Sequence, residues 1–115
     1  MATTFQEREQ AFESRFARDQ EFRFRVQARR DKLFARWAAA ELGLAADAGA
    51  ELVTAILAIA DGPGHDAALL RHVAGVFSAH RHAAAMDDLS AALQRCARQA
   101  QEQLMANTQD GAATR

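Results

Sequence analysis

The sequence has few of the residues that build sheets or disulfide frameworks. Its 115 residues include one cysteine, one proline, six glycines and no tyrosine, and valine and isoleucine together number only six. Strands favour β-branched and aromatic residues, so this composition excludes a β-sandwich, a barrel or a doubly wound sheet. The lone Cys96 cannot form an internal disulfide and suits a reducing compartment.

Long apolar runs are also lacking. The most apolar stretch, residues 53–60, is much shorter than the roughly 18 apolar residues that indicate a membrane-spanning helix. The N-terminal residues contain no apolar run of the kind found in a signal peptide. We therefore expect a cytoplasmic protein without direct membrane insertion.

Side chains that could carry chemistry are few and badly spaced for it. His72 and His80 lie two helical turns apart, and His80 and His82 diverge on a helix. No cysteine or carboxylate completes a zinc set, and no nucleophile–base pair or Gly-rich phosphate loop is present. We expect surface or helix-end positions for these histidines and for His65. We expect no enzyme, no cofactor and no metal site.

Alanine is what the chain has in abundance, with 29 residues, and alanine is the best helix former. Apolar residues recur at helical spacing. The pattern predicts helices at about 19–42, 47–60, 66–77 and 79–105, with a disordered tail at 108–115. Four amphipathic helices joined by short loops predict an all-α four-helix bundle over residues 19–107.

Several residues predict where these helices begin and end. Gly43 suits the left-handed position after a helix, with Leu44 making the apolar contact of a Schellman motif. Asp47, Asp66 and Ser78 are candidate N-caps of the second, third and fourth helices. The predicted core positions of the first helix are Phe22, Val26, Leu33, Trp37 and Ala40, and Cys96 is expected in the core of the last helix.

Aromatic residues and positive charge concentrate near the N-terminus. Seven of the eight aromatic residues lie in residues 1–37, which carry a net charge of +3, whereas residues 38–115 carry −4. Such asymmetry between two parts of a chain is a hint of an interaction segment. A solvated helix face would also account for it.

Three phenylalanines fall on one helical stripe of residues 1–18, namely Phe5, Phe12 and Phe16. Thr4 and Glu7 have the spacing of a capping box at the start of this stretch. The step from the stripe to Phe22 turns a helix by about 240°, so we predict a hinge, or a change of packing partner, at residues 17–21. Because the stripe is too thin to hold a short helix in water, residues 1–18 are expected to be a mobile or partly helical segment.

The same region resembles a known family. The residues that carry the resemblance are Thr3-Thr4-Phe5, Arg8-Glu9, Ala11-Phe12-Glu13, Phe16-Ala17, Asp19 with Glu21, Ala28-Arg29-Arg30, Lys32-Leu33, Trp37-Ala38-Ala39 and Leu42-Gly43-Leu44. Across residues 3–44 the sequence resembles the ζ subunit, the alphaproteobacterial inhibitor of the F-type ATP synthase. Beyond Leu44 the resemblance is thinner and rests on Met86-Asp87-Asp88-Leu89 and on His80.

The resemblance implies a function and a set of partner-binding residues. Members of the family are four-helix bundles whose mobile N-terminal segment enters a catalytic α/β interface, becomes helical and blocks rotation in the hydrolytic direction. The implied partners are the α, β and γ subunits of the catalytic head, so the protein would lie peripheral to the inner membrane and would be monomeric when free. The implied partner-binding residues are Thr3, Thr4, Phe5, Arg8, Glu9, Phe12, Glu13, Arg15 and Phe16.

A different function class remains open from the residues alone. The arginine-rich stretch 23–36 could belong to a helical scaffold that binds nucleic acid, or a small ligand such as a nucleotide. Acidic residues interleave with these arginines, and the sequence pI is about 6.4. We therefore expect no nucleic-acid partner.

Overall fold

The computed structural model of the protein describes the backbone of residues 2–113 and the side chains of residues 7–11 and 17–107. Over the described backbone the chain is all-helical and contains no strand. Its helices are α1 (Ala2–Glu41), α2 (Ala46–Leu57), α3 (His65–Ala79) and α4 (Met86–Ala113). The all-α prediction is therefore confirmed.

The core forms where α1 packs against α2 and α4, with α3 packed on α4. Its largest fully buried side chains are Phe34, Ile56, Leu69, Val73 and Leu89, one or two from each helix. Cys96 is buried in α4, as predicted. Small alanines at positions 35, 38, 92 and 100 are also buried, which lets the helix backbones approach closely.

The predicted core face of α1 was rotated from the observed one. Phe34 is fully buried and Leu33 and Trp37 are half-buried beside it, whereas Ala40 is exposed. Phe34 stacks on Trp37 with ring centroids 5.7 Å apart, and Trp37 stacks in turn on Phe77 of α3 at 5.9 Å. The rings of Phe34, Trp37 and Phe77 therefore form one continuous stack that joins α1 to α3.

The C-terminal end of α1 confirms the predicted Schellman motif. Gly43 has a φ of 62°, in the left-handed region. The backbone N–H of Leu44 donates to the carbonyl of Ala39, and that of Gly43 donates to Ala40. This pair of bonds satisfies carbonyls that the helix end leaves without partners.

The predicted N-caps at Asp47 and Asp66 were wrong by two residues. The cap positions are Ala45 for α2 and Gly64 for α3, and neither makes a side-chain capping bond. Both aspartates instead lie in the first turn of their helices. There their charge interacts favourably with the helix dipole.

The predicted start of the last helix near Ser78 was also wrong. Helix α3 continues to Ala79, and the connection to α4 runs from His80 to residue 85. Arg81 has a φ of 56° and donates its backbone N–H to Ser78, while the N–H of His82 donates to Phe77. This is a second Schellman ending, built without the glycine that usually marks one.

Replacing Arg81 by glycine is expected to stabilise the protein by about 0.5–1 kcal/mol, because a side chain in the left-handed region is strained. Urea unfolding should show a raised midpoint with an unchanged slope. Gly43→Ala is the matched opposite change. A Cβ at Gly43 would meet no atom within 4 Å, so the loss of unfolding free energy in Gly43→Ala reports backbone strain alone. An unchanged midpoint in both variants would contradict this account.

Helix α1 runs without a break through residues 17–21, where we predicted a hinge. A continuous helix tolerates the change of apolar face because the side chains of residues 17–21 are all exposed. No packing on the rest of the protein therefore forces a bend there. The division of the chain at residue 18 and the disorder of residues 108–115 stay predictions. The side chains of that tail, and Met1, Thr114 and Arg115 entirely, lie outside the described residues.

Candidate partner-binding segment and buried charged cluster

The first half of α1 extends from the rest of the protein. Wherever its side chains are described, at residues 7–11 and 17–21, they are exposed, and half-burial begins at Phe22. At about 1.5 Å per residue, residues 2–21 span roughly 30 Å. The long axis of the molecule is 68 Å. Nearly half of that length is therefore helix that presents its described side chains to solvent.

Two of the predicted partner-binding side chains, Arg8 and Glu9, are described, and both are exposed on α1. The others fall on the described backbone of α1, but their side chains lie outside the described residues: Thr3, Thr4, Phe5, Phe12, Glu13, Arg15 and Phe16. Their role stays a prediction.

The second half of α1 is fixed to the body by polar contacts as well as by the core. The amide of Gln27 donates to Asp61 at 2.8 Å, and Arg29 donates to Gln103 of α4 at 3.1 Å. Phe24, by contrast, is 58% exposed. Attachment to the body therefore begins within one helical turn of Phe24.

A buried charged cluster joins α1 to the start of α3. Asp31 is 3% exposed and His65 is 6% exposed. One carboxylate oxygen of Asp31 lies 2.7 Å from Nε2 of His65, within hydrogen-bond distance, and the other accepts a bond of 2.9 Å from Arg30. Arg30 also holds both carboxylate oxygens of Asp66, at 2.7 and 3.3 Å. Such two-point pairing is geometrically specific and strong.

The cluster shifts the pKa values of His65 and Asp66. Burial lowers the pKa of His65, but the hydrogen bonds to the Ala60 carbonyl and the Asp31 carboxylate, with the charge of Asp31, outweigh burial. The pKa of His65 therefore lies above its ordinary value of 6.5. The hydrogen bond from Arg30 lowers the pKa of Asp66, although burial opposes it.

Sequence reasoning missed this cluster. It treated Asp31 only as one of the acidic residues that interleave with the arginines, and it expected His65 on the surface or at a helix end. His65 does begin α3, but it is buried. The helical period could have indicated the burial of Asp31, because Asp31 lies on the same face of α1 as the buried Phe34 and Ala38.

A cavity of about 550 Å³ lies between the end of α1 and α2. Small side chains line most of it, and Arg36 and Thr54 are its charged and hydroxyl-bearing side chains. Across the described residues, no three His, Cys, Asp or Glu side chains gather as a metal-binding group. The cavity thus offers few groups to orient a polar ligand.

The described residues define a small all-helical protein with one helix projecting from its body. Among them, no helix is both long and apolar enough to cross a membrane. The family model of ATPase inhibitor subunit zeta matches residues 1–103, so the chain belongs to that family. Comparison with curated proteins and with solved structures gave no match.

Proposed function

We propose that this chain inhibits ATP hydrolysis by the F-type ATP synthase by inserting the N-terminal part of α1 into a catalytic α/β interface of the head, where it also meets the γ subunit. Membership of an inhibitor-subunit family supports the inhibitory role. The single observation that carries the mechanism is the projecting first half of α1, with its exposed side chains. Bound there, the protein would lie peripheral to the membrane.

The docking face is formed by Phe5, Phe12 and Phe16. On a helix that begins at Ala2, positions seven and eleven residues apart fall within a sector of about 40°. Three aromatic anchors on one face are typical of a helix that binds in an apolar groove. The surrounding polar residues set register and pair at the rim of the groove: Thr3, Thr4, Arg8, Glu9, Glu13 and Arg15.

The body of the protein, proposed as a four-helix bundle, limits how far the helix enters. The shorter dimensions of the molecule are 35 and 23 Å, whereas a single helix with its side chains is about 10–12 Å wide. A groove that admits α1 therefore stops the body at its mouth. A helix wedged between two subunits opposes their closure during hydrolytic rotation, whereas rotation in the synthetic direction expels it.

Before binding, residues 1–18 are expected to exchange between helix and coil, since a helix without packing is marginal in water. They become fully helical in the interface, and the ordering cost lowers the affinity. Backbone NMR of the free protein tests this directly. Residues 1–18 should give narrow lines and low order parameters, and the α1 residues after Phe22 should match the rigid body.

The arginines of α1 do not favour the nucleic-acid alternative. Arg25 pairs with Glu21 at 2.8 Å, and Arg30 pairs with Asp31 and Asp66. Arg29 donates to Gln103. A phosphate-binding surface needs cations directed at solvent. Arg29 and Arg30 are half-buried and engaged within the protein, whereas the Arg25–Glu21 pair is exposed. Steeply salt-dependent binding to DNA would favour the alternative instead.

Deletion of residues 1–18 tests the proposal. The truncated protein retains every described core residue, so its circular dichroism and unfolding midpoint should stay close to those of the full chain. It should leave hydrolysis by the cognate ATPase uninhibited, whereas the full chain inhibits. Equal inhibition by both proteins would overturn the N-terminal mechanism. No inhibition by either would overturn the proposed function.

A further inference from the structure

We propose that Asp31 and His65 form a proton-controlled clamp that holds the turn between α2 and α3 against α1 and releases it when the pair loses its shared proton. The inference concerns the body of the protein and is independent of the inhibitory segment. It rests on the positions of two hydrogen-bond acceptors around one buried imidazole.

Both ring nitrogens of His65 face hydrogen-bond acceptors. Nδ1 lies 2.9 Å from the carbonyl oxygen of Ala60, and Nε2 lies 2.7 Å from a carboxylate oxygen of Asp31. A neutral imidazole carries one N–H, so it can satisfy one acceptor and must turn a lone pair towards the other. Both contacts are made only when the pair holds one more proton, and because an imidazole is a stronger base than a carboxylate, that proton gives an imidazolium beside a carboxylate.

The surrounding charges mostly favour that proton. From α1, Asp31 attracts it and Arg30 opposes it. In the turn before α3, a carboxylate oxygen of Asp61 lies 3.9 Å from Nδ1. Asp66 on α3 pairs with Arg30, which weakens the repulsion between Arg30 and a protonated His65. On α4, burial raises the pKa of the Cys96 thiol more than the positive charge of Arg30 lowers it, so the thiol stays neutral.

The clamp has a defined mechanical effect at the start of α3, because the aromatic contact between α1 and α3, the Trp37–Phe77 stack, lies near the other end of α3. Helix α1 packs mainly against α2 and α4, and α3 packs on α4. The link from α1 to the start of α3 is largely polar. It consists of Asp31–His65, Arg30–Asp66 and Gln27–Asp61. When the pair loses its proton, one of the two imidazole contacts is no longer made, which loosens the turn while the core stays assembled.

The direction of the pH effect follows from the raised pKa of His65. A group whose pKa is higher in the folded state contributes stability that is fully present below its ordinary value. That contribution is lost as the pH rises through the folded value. The clamp is therefore closed in mild acid and opens on the alkaline side of pH 6.5.

Histidine ring NMR of the whole protein, titrated from about pH 5 to about pH 9, tests the clamp. His65 should keep both ring protons above pH 6.5, and amide exchange of residues 60–66, corrected for base catalysis, should accelerate as it titrates. Amides at the α1–α4 contact should not follow. In Asp31→Asn, His65 should titrate at a lower pH, and the exposed Asp61→Asn should shift it less.

Two outcomes would overturn the proposal. One is a His65 ring that is already singly protonated at pH 6 in the unaltered protein. The other is a normal titration with no matching change in the exchange of residues 60–66, which would leave the pair intact but without a mechanical role. Both are measured on the unaltered chain, so poor folding of Asp31→Asn does not affect them.

Discussion

Alanine in place of Phe5, Phe12 and Phe16 together is expected to weaken inhibition of ATP hydrolysis by about a thousandfold. Burying a phenylalanine is worth about 1.5–3 kcal/mol, and each 1.4 kcal/mol is about tenfold in affinity. At the lower end of that range, three anchors that enter one groove account for about three orders of magnitude. The measurement is the concentration of protein that halves the hydrolysis rate of the cognate ATPase.

Phe24→Ala is the matched control for this triple variant. It removes the same side chain from the same helix, at a position that is 58% exposed and beyond the proposed docking segment. Its effect on inhibition should stay within about threefold, since a solvent-exposed contact carries little binding energy. A loss comparable to that of the triple variant would place the end of the docking segment beyond residue 18. An unaffected triple variant would refute the anchor role.

The fold class followed from composition because helix formation depends on local properties. An alanine-rich chain with one proline has little alternative to helices, and the Schellman ending at Gly43 is encoded by two adjacent residues. The ending at Arg81 was not foreseeable in the same way, because nothing in an arginine favours a positive φ. The local contact between the side chains of C3 and C″, which often accompanies a Schellman motif, supplies the reason there. His82 packs edge-on against Phe77, with ring centroids 5.1 Å apart, and this holds the chain in the turn.

The buried cluster shows a different limit. Asp31 and His65 are 34 positions apart, and each is an ordinary polar residue in its local sequence. Only the packing of α1 against the turn before α3 makes them partners. Helical register shows that Asp31 lies on the core face, but it does not name the group that neutralises it. The partner-binding residues were predicted from resemblance to a family, and family membership is confirmed over residues 1–103.

Phe34→Ala is expected to cost about 3–5 kcal/mol of the free energy of unfolding, as large-to-small changes of buried aromatic residues do. Phe34 is fully buried and stacks on Trp37 at 5.7 Å, so its removal leaves a cavity beside the aromatic stack that reaches α3. Urea unfolding followed by circular dichroism should show a lower midpoint with the same slope. Small domains are stable by only about 5–15 kcal/mol, so the variant should lose a large fraction of its stability.

Phe24→Ala should change the unfolding free energy by less than about 0.5 kcal/mol, because surface substitutions away from special features have small effects. Equal losses of unfolding free energy in Phe24→Ala and Phe34→Ala would contradict the assignment of Phe34 to the buried face of α1. The same pair separates stability from inhibition. At a temperature where Phe34→Ala is still folded, its inhibitory concentration should match that of the unaltered protein, because the docking residues precede the body. The triple phenylalanine variant should show the reverse, with normal stability and lost inhibition.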